Sequence, residues 1–372
     1  MRNSKFTKIL MLVASGFFLI QCTSDLEIPD PIVGPAGQDG IDGVDGIDGA
    51  DGTASCVTCH SNATRDPIKA SFAISLHGTG TSFARGSSAN CAQCHGEAGF
   101  IDYVETGIVN PEGYENPVPI NCSTCHDKHG TFDFENDGLD YALRNIDPVT
   151  LVIDESTEID FGGSSNNCIT CHQPRNSYVI PAENGTGKYV ITSTRFGPHH
   201  GPQSTVLEGI MGANLAGSVG YPGVGAATHR TGSSCVACHM GPSSDTNKGL
   251  HSWNPTAQAC ISCHPNGAPD EINGFTSDFE TLEQLLTQVV GEEYAEDAEG
   301  DPVFDVDGNP VGNGTPVVGI IIDGRSQTGI FTTAEAQAAW NYMTALEDKS
   351  KGIHNPDYIR ALLKNSIEAL QD

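Results

Sequence analysis

The 372-residue chain is poor in aromatic and basic residues. Phe, Trp and Tyr together make up 7% of the chain, and its hydrophobic residues only 38%. An interior built from aliphatic and aromatic side chains alone would therefore be small for a chain of this length. Lys and Arg number 18 against 47 Asp and Glu, which gives a formal charge of −29. This charge argues against nucleic acid as a partner and favours the attraction of cationic proteins.

The chain also has no cysteine left for a structural disulfide. Of its 13 cysteines, all but Cys22 fall in copies of the pattern Cys-x-x-Cys-His. The copies are Cys56/Cys59/His60, Cys91/Cys94/His95, Cys122/Cys125/His126, Cys168/Cys171/His172, Cys235/Cys238/His239 and Cys260/Cys263/His264. The odd count therefore requires a separate role for Cys22.

Cys-x-x-Cys-His is the attachment signature of a c-type haem. Two thiols add to the porphyrin vinyl groups, and the adjacent imidazole binds the iron. Zinc knuckles and redox-active Cys-x-x-Cys pairs are the alternatives, but neither requires a histidine directly after every pair. The sequence therefore predicts six haems c, held by the twelve motif cysteines. The predicted proximal iron ligands are His60, His95, His126, His172, His239 and His264.

The histidines outside the motifs are candidate ligands for the opposite faces of these haems. They are His77, His129, His199, His200, His229, His251 and His354. Methionine, the common alternative ligand, is scarce, with five copies in the whole chain. His129 follows His126 too closely to reach the same iron, so we expect it to serve a neighbouring haem. We expect only one of His199 and His200 to bind iron, because a strand-like backbone would point the two side chains in opposite directions.

Residues 1–21 have the pattern of an export signal. Basic residues precede about twelve mostly apolar residues, too few to span a bilayer comfortably. Residues 19–22, Leu-Ile-Gln-Cys, resemble a bacterial lipobox, in which Cys22 is acylated. Plain secretion and an uncleaved anchor are the alternatives, because Gln21 stands where a small residue is usual. The sequence predicts an exported outer-membrane lipoprotein that faces the periplasm or the cell surface.

The rest of the chain divides into three predicted regions. They are a lipidated tether at residues 22–55, a hexahaem domain at residues 56–275 and a C-terminal helical segment at residues 276–372 that packs on the haem domain. Glycine recurs at every third position over residues 34–52, which is the collagen period. An extended acidic spacer and a short trimerising stalk both fit this pattern. The predicted fold class is mostly α with extensive loops, organised around haem, with minor β-hairpins.

Local signals predict several elements. A capping box at Ser277 predicts a helix over residues 277–290, and further helices are expected over residues 332–346 and 356–370. Hairpins are predicted over residues 177–196, with Asn184-Gly185 as the turn, and around residues 307–309.

Four phrases in the sequence resemble the multihaem cytochrome c superfamily, which includes pentahaem nitrite reductases, octahaem reductases and their electron-carrier relatives. The phrases are CSTCHDKHG at residues 122–130, SLHG around His77, LHSWNP around His251 and KGIHNPDYIRALL at residues 351–363. The resemblance implies that His77, His129, His251 and His354 are distal ligands. It also implies that the C-terminal helices deliver His354 to the haem core.

The chain departs from the enzymes of that superfamily. Its nitrite and tetrathionate reductases carry Cys-x-x-Cys-Lys at the catalytic haem, and none of the six motifs here has Lys at that position. The first hypothesis is therefore an electron carrier with mostly bis-histidine haems and no catalytic residue, whose partners are other redox proteins or extracellular electron acceptors. One alternative is a reductase of a small nitrogen or sulfur oxyanion with one open haem. Another is a subunit of an extracellular cytochrome filament, and homo-oligomers through the collagen-like stretch are a related option.

Overall fold

The computed structural model describes residues 54–175, 178–182, 187–245 and 247–371. All of them belong to one unit, which begins at Ala54. The predicted export signal, Cys22 and the glycine-rich tether lie outside these ranges, so the predictions made for them stay predictions. Within the described ranges, no helix combines the length and the apolar character needed to cross a bilayer.

The N-terminal part consists of short helices joined by loops. Helices α1 to α7 are Ala54–His60, Asn62–Ala73, Leu76–Thr79, Ala89–Ala92, Glu97–Thr106, Cys122–Cys125 and Asn166–Ile169, and 3-10 helices lie at Ser82–Ser87 and Gly163–Ser165. Strands β1 (Val149–Thr150) and β2 (Glu158–Ile159) form an antiparallel pair. Helix α2 has 12 residues and α5 has 10, whereas most of the others make one or two turns.

The C-terminal part combines longer helices with a small sheet. Helices α8 to α14 are Gln203–Glu208, Thr228–Gly232, Ser234–His239, Ala257–Cys260, Phe275–Leu286, Thr333–Asp348 and Pro356–Gln371, with a 3-10 helix at Leu250–Ser252. Strands β3 to β8 are Lys188–Ile191, Val290–Tyr294, Gly312–Val318, Ile321–Ile322, Arg325–Ser326 and Gly329–Thr332. A four-stranded antiparallel sheet has the order β3-β8-β4-β5, and β6 pairs with β7.

An ordinary hydrophobic core lies in the C-terminal part. Trp340, Tyr342 and Tyr358, from α13 and α14, are its largest fully buried side chains. Their polar atoms are satisfied: the Trp340 indole N–H donates to the Met211 carbonyl at 2.9 Å, and the Tyr358 hydroxyl accepts from the Gly212 N–H at 2.7 Å. Helices α12 to α14 pack on one another and on the sheet around these residues, so this part has an apolar interior of its own.

The N-terminal part has no comparable apolar interior among its described residues. Its buried hydrophobic cluster consists of Val149, Leu151, Ile159 and Ile169. Several large apolar side chains there are exposed, including Leu76 at 86% and Phe132 at 75%. The prediction that aliphatic packing is insufficient therefore applies to this part and not to the whole chain.

Two of the three N-terminal caps predicted for the C-terminal helices are confirmed. Thr332 caps α13 in a capping box with Glu335, and the Asn355 side chain accepts from the Tyr358 N–H at 3.2 Å at the start of α14. The prediction that Ser277 caps the first of these helices is wrong. Helix α12 begins at Phe275 and its N-cap is Gly274 with φ of +83°, so Ser277 lies inside the helix.

The C-terminal segment contains more strands than the one predicted hairpin, because β4 to β8 all lie between α12 and α13. The hairpin predicted over residues 177–196 is wrong in its pairing, because β3 pairs with β8, far along the chain. Asn184-Gly185 lies outside the described residues. The second predicted hairpin is confirmed: Phe304 and Pro310 form an antiparallel bridge, and the Asp305 N–H donates to the Asn309 carbonyl at 2.9 Å.

Replacing Thr332 by alanine tests the cap of α13. Thr332→Ala removes one side of the reciprocal capping box, so the free energy of unfolding should fall by about 1 kcal/mol. Urea titration of the protein, followed by far-ultraviolet circular dichroism, measures the change. Thr332→Ser is the matched control and should stay close to wild type, since it keeps the hydroxyl. Equal losses in both variants would contradict the role of the cap.

Candidate metal centres

Each Cys-x-x-Cys-His motif begins on a short helix, namely α1, α4, α6, α7, α10 or α11. The backbone closes one helical turn across the motif: the His172 N–H donates to the Cys168 carbonyl at 2.9 Å, and His126 bonds Cys122 in the same way. Residues three apart share one face of a helix. This spacing is suited to a ligand that is attached at two points. None of the twelve described cysteines forms a disulfide.

The second cysteine of a motif differs from site to site in its surroundings. Cys59 lies within α1 and Cys238 within α10, whereas Cys263 follows the end of α11, where its N–H donates to the Cys260 carbonyl at 3.1 Å. The structure does not place Cys59 or Cys263 in a buried site, because both are exposed. Cys238 is half-buried, with Sγ 3.8 Å from the Ser233 hydroxyl oxygen. Attachment of haem to all twelve motif cysteines, including Cys59, Cys238 and Cys263, stays a prediction from the motifs.

Every motif histidine faces one histidine from outside the motifs. Between ring centroids the pairs are His60–His129 at 6.0 Å, His77–His172 at 6.1 Å, His95–His199 at 6.5 Å, His126–His251 at 6.2 Å, His229–His264 at 6.1 Å and His239–His354 at 6.2 Å. Aromatic rings commonly meet at about 4.5–7 Å, so a single distance of this size decides little. The one-to-one matching across all the motifs is the informative feature.

The spacing within these pairs fits a metal ion between two imidazoles. A metal–imidazole bond is about 2.0–2.1 Å long and the ring centroid lies roughly 1.1 Å behind the nitrogen, which places opposed centroids about 6.2–6.4 Å apart. The observed distances run from 6.0 to 6.5 Å. Among the residues that the structure describes, no group of three or more His, Cys, Asp and Glu side chains converges on a metal-sized point. The imidazole donors come in twos.

Protein oxygens hold the outer ring nitrogen of several paired histidines. Three Nδ1 atoms contact backbone carbonyl oxygens: His126 contacts Tyr141 at 2.8 Å, His239 contacts Trp253 at 2.8 Å, and His229 contacts Ile353 at 2.5 Å. Two contact side chains: Nδ1 of His172 lies 3.2 Å from the Gln203 amide oxygen, and Nδ1 of His354 lies 2.6 Å from an Asp348 carboxylate oxygen. Metal-binding histidines usually donate one ring N–H to such an oxygen, which fixes the tautomer and the ring orientation. Nε2 is then left for the metal.

Burial keeps several of these imidazoles neutral. It lowers the pKa of His77 to about 4, with help from the neighbouring His172. The pKa of His251 is lowered to about 4 by burial and then by His126. Burial and the nearby Arg175 guanidinium lower the pKa of His199 to about 4. Neutral imidazole is the form that binds metal, so these side chains are ready to do so at neutral pH.

His199 and His200 differ in their surroundings. His199 faces His95, whereas His200 donates from Nδ1 to a Glu347 carboxylate oxygen at 2.7 Å, and the His200 side chain is 66% exposed. Their rings lie side by side, with centroids 4.3 Å apart. The expectation that they point in opposite directions is wrong, because His199 has φ of +61° and is not extended. Of the two, His199 has the position of a ligand.

The motif helices pack directly against one another. The Cys94 Sγ lies 3.9 Å from the Thr170 carbonyl oxygen, which joins the second motif to the fourth. The hydroxyls of Ser165 and Ser234 are 2.8 Å apart, which joins the fourth motif to the fifth. Contact between Cys94 and Cys171 also raises the pKa of the Cys171 thiol, together with burial. The sites are therefore neighbours in space.

One short segment serves two pairs. His126 faces His251, and His129, three residues later, faces His60. The Asp140 carboxylate holds the loop after His129 by accepting the N–H groups of residues 130 and 131. The first and third motifs are thereby tied to the same stretch of backbone.

Sequence reasoning missed the side chains that orient the histidines. Asp348 and Gln203 contact Nδ1 of His354 and His172, yet neither is near its partner's motif in a recognisable pattern. A carboxylate a few residues before a spare histidine is a weak signal, because 47 acidic residues are spread over the chain.

Comparison with protein-family models and with curated proteins gives no match. Among solved structures, the chain resembles the outer cell wall cytochrome OcwA, with a TM-score of 0.46 and 17% sequence identity over 81% of this chain. The match covers 50% of that protein, so the chain spans about half of its length.

The two neighbouring histidines give a test of the pairing. If each pair holds one haem iron, His199→Ala removes an axial ligand and should make about one sixth of the iron high-spin. His200→Ala is the matched control and should leave the spin state unchanged, because His200 faces no motif histidine. Electron paramagnetic resonance of the ferric proteins measures both. A high-spin signal in the His200 variant alone would contradict the assignment.

Proposed function

We propose that the chain is an exported hexahaem c-type cytochrome that transfers electrons, with a histidine on both faces of every haem iron. The observation that carries the proposal is the one-to-one pairing of the motif histidines with histidines from elsewhere in the chain. Each pair lies beside a helical turn that carries two cysteines, which is the donor set that haem c requires. A zinc knuckle or a redox dithiol does not account for the second histidine.

Haem c supplies a one-electron iron couple when it is bound. The residues of this chain provide attachment, ligation and burial. The cysteine pairs would attach each haem to its helix, and the two imidazoles of each pair would hold its iron. A carrier needs no further chemistry from side chains, and this is why we assign no catalytic residue.

The packing of the motif helices supports electron transfer from site to site. The second, fourth and fifth motifs are in direct contact, and the first and third share the segment that contains His126 and His129. Electron transfer from one haem to the next requires haems that lie close together, whereas redox centres that act independently do not require it.

The charge of the chain supports low reduction potentials and cationic partners. Acidic surroundings favour the more positive, oxidised form of a haem. A formal charge of −29 also attracts positively charged redox proteins. The proposed partners are other redox proteins or extracellular electron acceptors, and the proposed location is the outer membrane, through acylated Cys22. Assembly into a filament or through the collagen-like stretch is compatible with the same chemistry.

A reductase would need one haem with an open axial position. In the described residues every motif histidine has a histidine opposite it, including His95, whose partner is His199. A strongly negative chain also repels oxyanions. We therefore favour the carrier over the reductase.

Haem content and spin state test the proposal directly. The purified protein should contain six haems per chain by the pyridine haemochrome assay and by intact mass, one for each motif. Its ferric iron should be entirely low-spin and should not react with nitrite, hydroxylamine or sulfite. Fewer haems would contradict the attachment sites. High-spin iron with turnover of one of these substrates would support the reductase instead.

Replacing Cys22 tests the tether. Cys22→Ser removes the thiol that is acylated in a lipoprotein, so the protein should move from the membrane fraction to the soluble fraction. Fractionation followed by haem staining measures the distribution. A variant at Gln21, Gln21→Ala, is the control and should stay with the membrane, since it restores the usual small residue. Retention of the Cys22 variant in the membrane would mean that acylation is not the anchor.

A further inference from the structure

A buried carboxylate contacts one of the paired histidines. An Asp348 oxygen lies 2.6 Å from Nδ1 of His354, and the Asp348 side chain is fully buried, with 0% exposure. The Ser350 hydroxyl donates to the other carboxylate oxygen and accepts the backbone N–H of His354 at 3.2 Å. Asp348, Ser350 and His354 therefore form one closed hydrogen-bonded group.

The chain between α13 and α14 is shaped to make this group. Asp348 is the last residue of α13, and Lys349, Lys351 and Gly352 follow with φ of +59°, +51° and +84°. These left-handed conformations are costly for lysine and turn the backbone sharply. The turn brings His354 back to the C-terminal end of α13, where Asp348 lies.

The surroundings of Asp348 require a positive partner. The carboxyl end of a helix is its negative end, so α13 itself disfavours a carboxylate there. In the described part of the chain, the ion pair that Asp348 makes is with His354, and no Lys or Arg side chain pairs with it. A buried carboxylate without a compensating charge is strongly disfavoured. An imidazole that binds a metal cation supplies that charge.

The other paired histidines have weaker acceptors. Where their Nδ1 atoms are hydrogen-bonded, the acceptor is a backbone carbonyl or, for His172, the neutral Gln203 amide. His129 has Asp140 nearby, but the distance of 3.8 Å is too long for a hydrogen bond. Among the described contacts, Asp348 is thus the carboxylate that hydrogen-bonds a paired histidine.

We propose that Asp348 gives the haem bound by His239 and His354 the lowest reduction potential of the six. A carboxylate that accepts the Nδ1–H of an imidazole makes Nε2 a stronger electron donor to the metal. A stronger axial donor stabilises ferric over ferrous iron and lowers the potential. The inference rests on the proposed function, and Asp348 is a positioning and tuning residue in it, not a catalytic one.

Asp348→Asn in the full holoprotein tests the inference, because it keeps the shape and an acceptor oxygen but removes the charge. In a spectroelectrochemical titration of the haem α-band, the component with the lowest midpoint should account for about one sixth of the amplitude. In the variant, its ratio of oxidised to reduced iron at a fixed potential should fall at least tenfold, a positive shift of about 59 mV for a one-electron couple.

The neighbouring residue provides a matched control. Glu347→Gln removes the same charge one position earlier in α13, but the Glu347 carboxylate contacts His200, which faces no motif histidine. The lowest component should stay in place in this variant. An unmoved lowest component in Asp348→Asn, or an equal shift in Glu347→Gln, would overturn the inference.

Ser350→Ala gives a change of the opposite sign, and it also covers the case in which Asp348→Asn fails to fold. The Ser350 hydroxyl donates to the carboxylate and so weakens it as an acceptor. Its removal should lower the potential of the same component further, and an unchanged or raised potential counts against the inference. Haem content separates the two levels of the proposal: fewer than six haems in the wild type would refute the proposed function, whereas six haems with unmoved potentials would refute the role of Asp348 alone.

Discussion

The opposition of two imidazoles across one metal is the interaction on which the proposed structure depends. Each pair joins segments that are distant in sequence, as with His95 and His199 or His239 and His354. Joining such segments costs loop-closure entropy, which favourable interactions in the folded state must offset. Metal ligation can offset it, because the free energy of metal binding adds to the free energy of folding. If the pairs bind metal, the N-terminal part, with its small apolar cluster, would depend on this source of stability more than the C-terminal part would.

The two parts therefore contribute in different ways. The C-terminal helices and sheet have buried Trp340 and Tyr358 and satisfy their polar atoms within the protein. This frame carries Asp348 and His354 on a turn whose backbone conformation is unusual. A rigid scaffold can hold a ligand in place before the metal binds, and preorganisation of this kind is how a protein controls a site beyond supplying donors. The haem-free end of the chain thus has a structural role at the fifth motif.

How far the sequence predicted these features depends on the range of each interaction. The motifs predicted for haem attachment consist of contiguous residues, so they could be recognised directly in the sequence, and counting the remaining histidines gave the candidate partners. The pairing was not readable, because the partner of His172 precedes it and the partner of His126 follows it. For the same reason β3 was assigned to a local hairpin, although its partner is β8. The residues from Ser277 onward match the sequence pattern of a capping box, but the helix begins at Phe275, directly after Gly274, whose backbone is left-handed.

The order of the partners along the chain has a consequence for biogenesis. A ribosome makes the chain from its N-terminus. The histidine that faces the first motif, His129, and the one that faces the third, His251, are therefore made after those motifs. The partner of the fifth motif is His354, which lies two residues before the start of α14. Thiol attachment needs only the motif itself, whereas the first, second, third and fifth sites also need a histidine that is made later. If the motifs carry haem, covalent attachment at the fifth motif can precede ligation by His354, and that site is completed only after nearly the whole chain has been made.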